Sequence, residues 1–313
     1  MTGAARGRLT LLLVVLGAGW GLTQPLTKIT VTAGYQPFGI VFWQLAIGAV
    51  VLGALRWRAL GRIPVTRATL TVWAVVALMG TLVPNSASYR AAFHLPAGVM
   101  SIVIAAIPMF AFPMALALGT DRFSARRLIG LALGLGGVAL IALPQSSLPE
   151  RAMVAFLPLA LVAPFCYAVE GNWVAKWGTA GLDPVQVLFG ASALGAVLIL
   201  PVTLATGQFI VPAPPFILAD LTLFAASLIH VGVYTVYVWM VARAGAVFAG
   251  QVSYLVTGFG VVWAMLLLGE RYSAWVWGAL ALMACGLALV QPREGVADST
   301  TASDKKRKLT PGR

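Results

Sequence analysis

Ten apolar stretches, each long enough to cross a bilayer, leave this chain few ways to fold. They run over 9–31, 36–55, 69–91, 96–118, 126–143, 153–175, 184–205, 219–241, 245–268 and 274–291. About 20 apolar residues span the hydrocarbon core as a helix, whereas a membrane barrel would show alternating strands of about ten. A helix satisfies its own N–H and C=O groups, which lipid demands. The chain is 60% hydrophobic and 10% charged, against about a quarter charged in a soluble domain. The expectation is an all-α membrane protein of ten transmembrane helices. Turn residues punctuate the stretches at Gly34 with Pro37, Gly61 to Pro64, Pro144, Gly181 with Pro184, and Pro212 to Pro215.

The net charge of +12 invites a nucleic-acid partner, but the cations sit in short connections and form no basic domain. The positive-inside rule explains them better. With the N-terminus inside, 17 of the 21 Lys and Arg residues fall on inner segments, and only Lys28, Arg90, Arg151 and Arg271 fall outside. Both termini are therefore expected in the cytoplasm, with the chain multi-pass in the cytoplasmic (inner) membrane and lipid as its surroundings. Met1 to Trp20 has the basic start and apolar run of a signal peptide, yet nine more stretches follow, so it reads as an uncleaved first helix. Residues 1–8 read as a cytoplasmic N-terminus. Residues 292–313 read as a disordered basic cytoplasmic tail, whose Lys305-Lys306-Arg307-Lys308 run could alternatively bind anionic lipid.

Cys166 and Cys285 both lie within apolar stretches and suggest neither a disulfide nor a metal site. No cofactor is expected. Gly-x-Ser-x-Gly, His-Glu-x-x-His and phosphate-loop motifs are all missing, so the chain does not read as an enzyme.

The sequence repeats itself. Gln24 and Asn172 are 148 residues apart, as are Lys28 and Lys176, and Tyr89 and Tyr237; Pro37 and Pro184 are 147 apart. The ending Leu118-Gly119-Thr120-Asp121-Arg122-Phe123-Ser124 recurs as Leu267-Leu268-Gly269-Glu270-Arg271-Tyr272-Ser273. Two five-helix halves follow, 9–143 and 153–291, joined by a periplasmic linker over 144–152. Because five is odd, the second half enters from the opposite face, giving an inverted repeat, a ground plan of secondary transporters.

These residues resemble the drug/metabolite transporter superfamily, in its EamA-like branch. The resemblance rests on Trp20-Gly21, Pro108, Gly269-Glu270-Arg271 and the glycine-rich stretches 130–137 and 278–286. It implies a metabolite transporter, often an exporter of amino acids or other small molecules. It also shows departures. Gln44 stands where the family usually has Arg, Thr257 where many members have Pro, Asp121 in place of Glu and Thr120 in place of Gly. Losing a fixed cation at Gln44 argues against an anionic substrate.

Glu170, in Pro164-Phe-Cys-Tyr-Ala-Val-Glu170-Gly-Asn172-Trp-Val-Ala-Lys176, is the one carboxylate inside an apolar run. An ionised carboxylate in hydrocarbon must face water, find a partner or take up a proton. It reads as a proton-coupling group, the alternative being a snorkelling anchor. His230 is a second proton-coupling candidate, or a hydrogen-bonded structural histidine. Polar and amphipathic residues deep in the stretches supply substrate-binding candidates: Trp20, Gln24, Gln44, Asn85, Tyr89, Tyr167, Asn172, Tyr234, Gln251 and Tyr254. Asp121, Asp183, Asp220 and Glu270 read as anchors or loop pairs. The resulting expectation is a secondary active exporter of small organic metabolites. A multidrug or aromatic-cation carrier is the alternative, and an intramembrane enzyme acting on a lipid-linked substrate a more distant one. The sequence is compatible with a homodimer.

Overall fold

The computed structural model describes residues 3–56, 63–144, 146–244 and 252–290, and among these there are helices and no strand. We number the helical segments α1 (Gly3–Thr32), α2 (Pro37–Arg56), α3 (Arg67–His94), α4 (Ala97–Ala117), α5 (Ala125–Ala142), α6 (Leu157–Trp177), α7 (Pro184–Ala205), α8 (Leu218–Ala244), α9 (Val252–Leu268) and α10 (Ala274–Val290). Eight of them are long and apolar enough to cross a membrane. The remaining two, α9 and α10, are apolar but shorter over their described residues. The expected start of the ninth stretch, 245–251, lies outside the described residues.

Local chemistry sets the boundaries. Thr66 caps α3 in a reciprocal box with Thr69, and Asp183 caps α7 in another with Gln186, with Pro184 at the first helical position. Gly119 and Gly269 end α4 and α9 with φ of +70° and +66°, a left-handed turn that a Cβ would strain. These glycines hold equivalent places in the two halves.

Among the described residues, α3 and α4 depart from regular α geometry. α3 passes through a π turn at Leu78–Leu82. α4 is interrupted at Ala105 and Ala106, just ahead of Pro108. Proline lacks an N–H and its ring crowds the carbonyl four residues back, so both departures follow from the sequence.

The helices exchange under the repeat, with α1 to α5 answering to α6 to α10. Three pairs map onto themselves: α2 with α7, α4 with α9, and α5 with α10. The other main contacts come as exchanged couples. α1 packs on α9 as α6 packs on α4; α1 on α8 as α6 on α3; α2 on α8 as α7 on α3. The bundle is thus built about a pseudo-two-fold axis, as the inverted repeat requires. Small residues bring both kinds of pair together. A Cβ on Gly286 would lie 2.6 Å from the Gly130 carbonyl oxygen, across the α5–α10 contact. A Cβ on Gly21 would lie 2.7 Å from the Gly260 nitrogen, which is why Gly21 follows Trp20 where α1 meets α9. Leu11, Val50, Leu143, Val197 and Leu266 face outward, 67–72% exposed, as lipid-facing side chains do.

One end of the bundle is tied by loops. Tyr35 donates to Asp220 Oδ1 at 2.7 Å, Trp43 Nε1 donates to the Ile210 carbonyl at 2.9 Å, and Ser273 Oγ donates to the Ser147 carbonyl at 2.9 Å. Burial first, and then the Asp220 carboxylate, push the Tyr35 phenol up to about 12. Its stabilising bond is therefore complete below the ordinary tyrosine range near 10 and is lost as pH rises through about 12.

The glycine contact generates a test. Gly286→Ala should destabilise the protein by about 1–3 kcal/mol through overpacking against backbone, read as a lower melting temperature in detergent. Gly232→Ala, where nothing lies within 4 Å of the added Cβ, should leave it unchanged or raise it. Equal melting temperatures for the two variants would contradict close α5–α10 packing.

Candidate functional site

The centre of the bundle is reached from the irregular part of α3. Pro84 can offer no N–H to the Gly80 carbonyl, and the chain there adopts the π turn, a feature that recurs at functional sites. Gly80 leaves a side chain's worth of room, and the Glu170 carboxylate occupies it. A Cβ at Gly80 would lie 2.8 Å from Glu170 Oε2 and 3.0 Å from Oε1.

A network of amides and phenols extends from this point. Asn85 Nδ2 donates to Gln44 Oε1 at 2.9 Å, and Tyr89 donates its hydroxyl to the same oxygen at 2.6 Å. Tyr167, three residues before Glu170, donates to Asn85 Oδ1 at 2.9 Å. Gln44 and Asn85 are buried, and the network joins α2, α3 and α6. Both lone-pair positions of Gln44 Oε1 are used, which leaves its Nε2 group as a donor.

Across from this wall stands one of aromatic rings. His230, Tyr234 and Tyr237 lie on one face of α8 at helical spacing. The Trp20 indole of α1 meets all three edge-on, with centroids at 5.9, 5.8 and 5.7 Å. Trp20 Nε1 donates to His230 Nδ1 at 3.2 Å, so in this arrangement the imidazole proton is on Nε2. Tyr234 lies within electrostatic reach of Glu170 and Tyr167, which brings the two walls near each other.

The structure thus gathers Trp20, Gln44, Asn85, Tyr89, Tyr167, Glu170, His230 and Tyr234 around one centre, joined by Tyr237. Asn172 is placed elsewhere. Its Nδ2 donates to the carbonyls of Ala111 at 3.1 Å and Ala168 at 2.9 Å, tying α6 to α4. Gln24 is half-buried one turn beyond Trp20 on α1. Tyr254 is half-buried in the first turn of α9. Gln251 lies outside the described residues. Among the described residues, no three His, Cys, Asp or Glu side chains gather as a metal site.

A second polar assembly, at the loop-tied end, is one that sequence reasoning reduced to anchors. Lys28 Nζ donates to the carbonyls of Ala92, Phe93 and Leu95 at 2.7, 3.0 and 3.0 Å. These are end groups of α3, where a cation is favourable. Glu270 accepts from the Ala97 and Gly98 N–H groups at 2.7 and 3.1 Å, capping the start of α4. Tyr272 adds its hydroxyl to Glu270 at 2.5 Å. Burial, reinforced by that carboxylate, raises the Tyr272 phenol well above its ordinary value, so it remains a donor. The α3–α4 turn is therefore held between a lysine of the first half and a glutamate of the second. The counterparts behave differently at the other end. Lys176 donates to the Leu118 carbonyl at 3.2 Å, and Asp121 pairs with Arg127. The recurrence of Lys28 at Lys176, and of the acidic-Arg-aromatic-Ser ending, was the signal that could have found this assembly. Its asymmetry could not be read from a repeat. α1 also approaches α3 and α4, an approach with no comparable counterpart between α6 and α8 or α9 among the described residues.

Comparison with known proteins agrees with this architecture. The model of the EamA-like transporter family matches residues 8–143 and again 155–291. No curated protein matches. One solved crystal structure, titled only as that of a protein, covers 90% of this chain and 98% of its own. It does so at a TM-score of 0.58 and 19% identity, and it speaks to the fold alone. The chain belongs to the EamA-like transporter family, and with its apolar helices it is a multi-pass membrane transporter of the drug/metabolite type.

The network predicts an order of stabilities. Tyr167→Phe removes one neutral hydrogen bond and should cost about 1 kcal/mol. Asn85→Ala strips partners from both Tyr167 and Gln44 and should cost about 2–3 kcal/mol. Thermal unfolding in detergent should place Asn85→Ala below Tyr167→Phe; the reverse order would contradict the bonding assigned to Asn85.

Proposed function

We propose that this member of the EamA-like transporter family is a secondary active exporter of small organic metabolites such as amino acids. It would work by alternating access in the cytoplasmic membrane, with ten spans and both termini cytoplasmic. One observation carries the reading: the principal helix contacts are interchanged by the repeat, while the ends are not alike. A pseudo-symmetric bundle can exchange the roles of its halves, and a difference between its ends is what an alternating carrier has in either state. The end held by Lys28 and Glu270 is the outer one if the positive-inside rule sets the orientation. The polar and aromatic centre would then open toward the cytoplasm, from which an exporter loads.

Glu170 and His230 are the proton-coupling groups in this reading. Glu170 is set between phenols in the middle of the bundle, and among the described residues it has no ion-pair partner. Such a carboxylate can take up a proton on one side and release it on the other. The aromatic-cation alternative draws support from the ring wall of α1 and α8.

The test uses inverted vesicles or proteoliposomes and a labelled panel of amino acids, amines and nucleobases. A pH gradient should drive accumulation of an unmodified compound. Glu170→Gln should reduce gradient-driven accumulation by at least about tenfold at equal expression, and Glu170→Asp should keep part of it with a shifted pH optimum. Full accumulation by the Gln variant would remove Glu170 from coupling, and stoichiometric conversion of a compound would overturn the carrier reading.

A further inference from the structure

The fourth helices of the two halves differ at the place where one of them breaks. At the offset of 149 that relates Leu118 to Leu267 and Asp121 to Glu270, Pro108 answers to Thr257. α4 is interrupted at Ala105 and Ala106, ahead of Pro108, whereas α9 runs unbroken through Thr257. Pro108 offers no N–H to the Ile104 carbonyl. The N–H groups of Ala105 and Ala106 turn back to the carbonyls of Ile102 and Val103, each at 3.0 Å. The Ile104 carbonyl is thus left without its helical donor at the end of the first α4 segment.

Thr257 lies level with it. α4 and α9 run antiparallel, because Glu270, just past the end of α9, caps the start of α4. They meet at Gly260, where an added Cβ would lie 2.2 Å from Ser101 Oγ and 3.6 Å from the Gly21 carbonyl oxygen of α1. One turn inward from Ser101 comes Ile104, and one turn inward from Gly260 comes Thr257. Thr257 is 5% exposed, and its Oγ1 is buried with no hydrogen-bond partner among the described residues. Pro25, inside α1, likewise deprives the Gly21 carbonyl of its donor. Ser101 commits its hydroxyl proton to the Ala97 carbonyl at 3.1 Å, so toward a ligand its oxygen is an acceptor.

We propose that a sodium ion binds at this junction of α1, α4 and α9, held by the carbonyls of Gly21 and Ile104 and the hydroxyls of Ser101 and Thr257. The proposal goes beyond the carrier reading, since binding is read on purified protein whether or not any compound is transported.

The chemistry of the junction selects a small hard cation. All four ligands are oxygens with lone pairs to give, the set that such ions take. The α4 segment Ala97–Ile104 ends here and brings the negative end of its dipole. Its positive end is already answered by Glu270. Neutral oxygens and a partial negative charge suit one positive charge better than two. The place is also the expected one. α4 and α9 map onto each other under the repeat, so the pseudo-two-fold axis passes between them. Interrupted helices at such a repeat interface hold sodium through freed carbonyls and half-helix C-terminal ends in other carriers.

Thermal unfolding of the purified full-length protein in detergent reads the site, with sodium chloride replacing choline chloride at constant ionic strength up to about 150 mM. Sodium should raise the melting temperature by about 2 °C or more, increasing with the logarithm of its concentration. Thr257→Val keeps the shape and removes the oxygen. It should be at least as stable in choline, because a buried hydroxyl without a partner is lost. Its apparent sodium affinity should fall by about tenfold or more, whereas Thr257→Ser should keep the response. Pro108→Ala gives the Ile104 carbonyl an N–H and should weaken the affinity as Thr257→Val does. Binding of radiolabelled sodium to the same proteins should follow the same order. An equal response of the unaltered protein to sodium and choline would overturn the proposal and leave water at these oxygens. So would a sodium response undiminished in Thr257→Val protein that is monodisperse and unfolds cooperatively.

Discussion

Lipid offers no hydrogen bonds, so every polar group this chain carries into the bundle must be answered by protein or water. That constraint explains more of the structure than any single contact. Helix ends near the bilayer are answered by side chains from elsewhere in the chain. Lys28 takes the carbonyls that end α3, and Glu270 takes the N–H groups that begin α4. The Glu270 bonds join the second half to the first, so satisfying the backbone also fastens one end of the bundle. Proline imposes the opposite situation in the interior. Pro84 leaves the Gly80 carbonyl without its usual donor, and the π turn brings the chain past Glu170 at its one residue without a side chain.

Much of the fold was legible in the sequence, because hydropathy and the repeat both report directly on burial in lipid. The apolar stretches became helices, and the 148-residue offset became a pseudo-two-fold axis. The span count was legible only in part, since α9 and α10 fall short of a full crossing over their described residues. The site was legible by residue type. Gln44, Asn85, Tyr89 and Tyr167 are polar groups in apolar runs, and they found one another. Asn172 met the same criterion and yet bonds backbone carbonyls of α4 and its own helix. Composition says that a polar group needs a partner, and only packing says which. The clasp of Lys28 with Glu270 stayed hidden for the same reason, since it depends on residues brought together from different helices.

The repeat also explains why function should lie in departures from symmetry. The principal contacts of equivalent helices are equivalent, so those contacts by themselves favour neither end. Trp20, Glu170 and His230 have no counterpart in kind, and they give the centre a ring-lined wall and a carboxylate-bearing wall. The clasp likewise favours one end over the other. In the proposed carrier, a small free-energy difference there would be enough to hold one state, and substrate or protons would offset it.

The central claim is that the bundle alternates, with the Lys28–Glu270 end closed in the state described. It is tested most directly by the sidedness of Tyr237→Cys labelling, in protein whose Cys166 and Cys285 have been replaced. A membrane-impermeant thiol reagent should react faster from the cytoplasmic side. Adding Glu270→Gln should weaken the clasp and raise labelling from the outside by several-fold. Labelling that keeps the same sidedness and rate with or without Glu270→Gln would contradict the account.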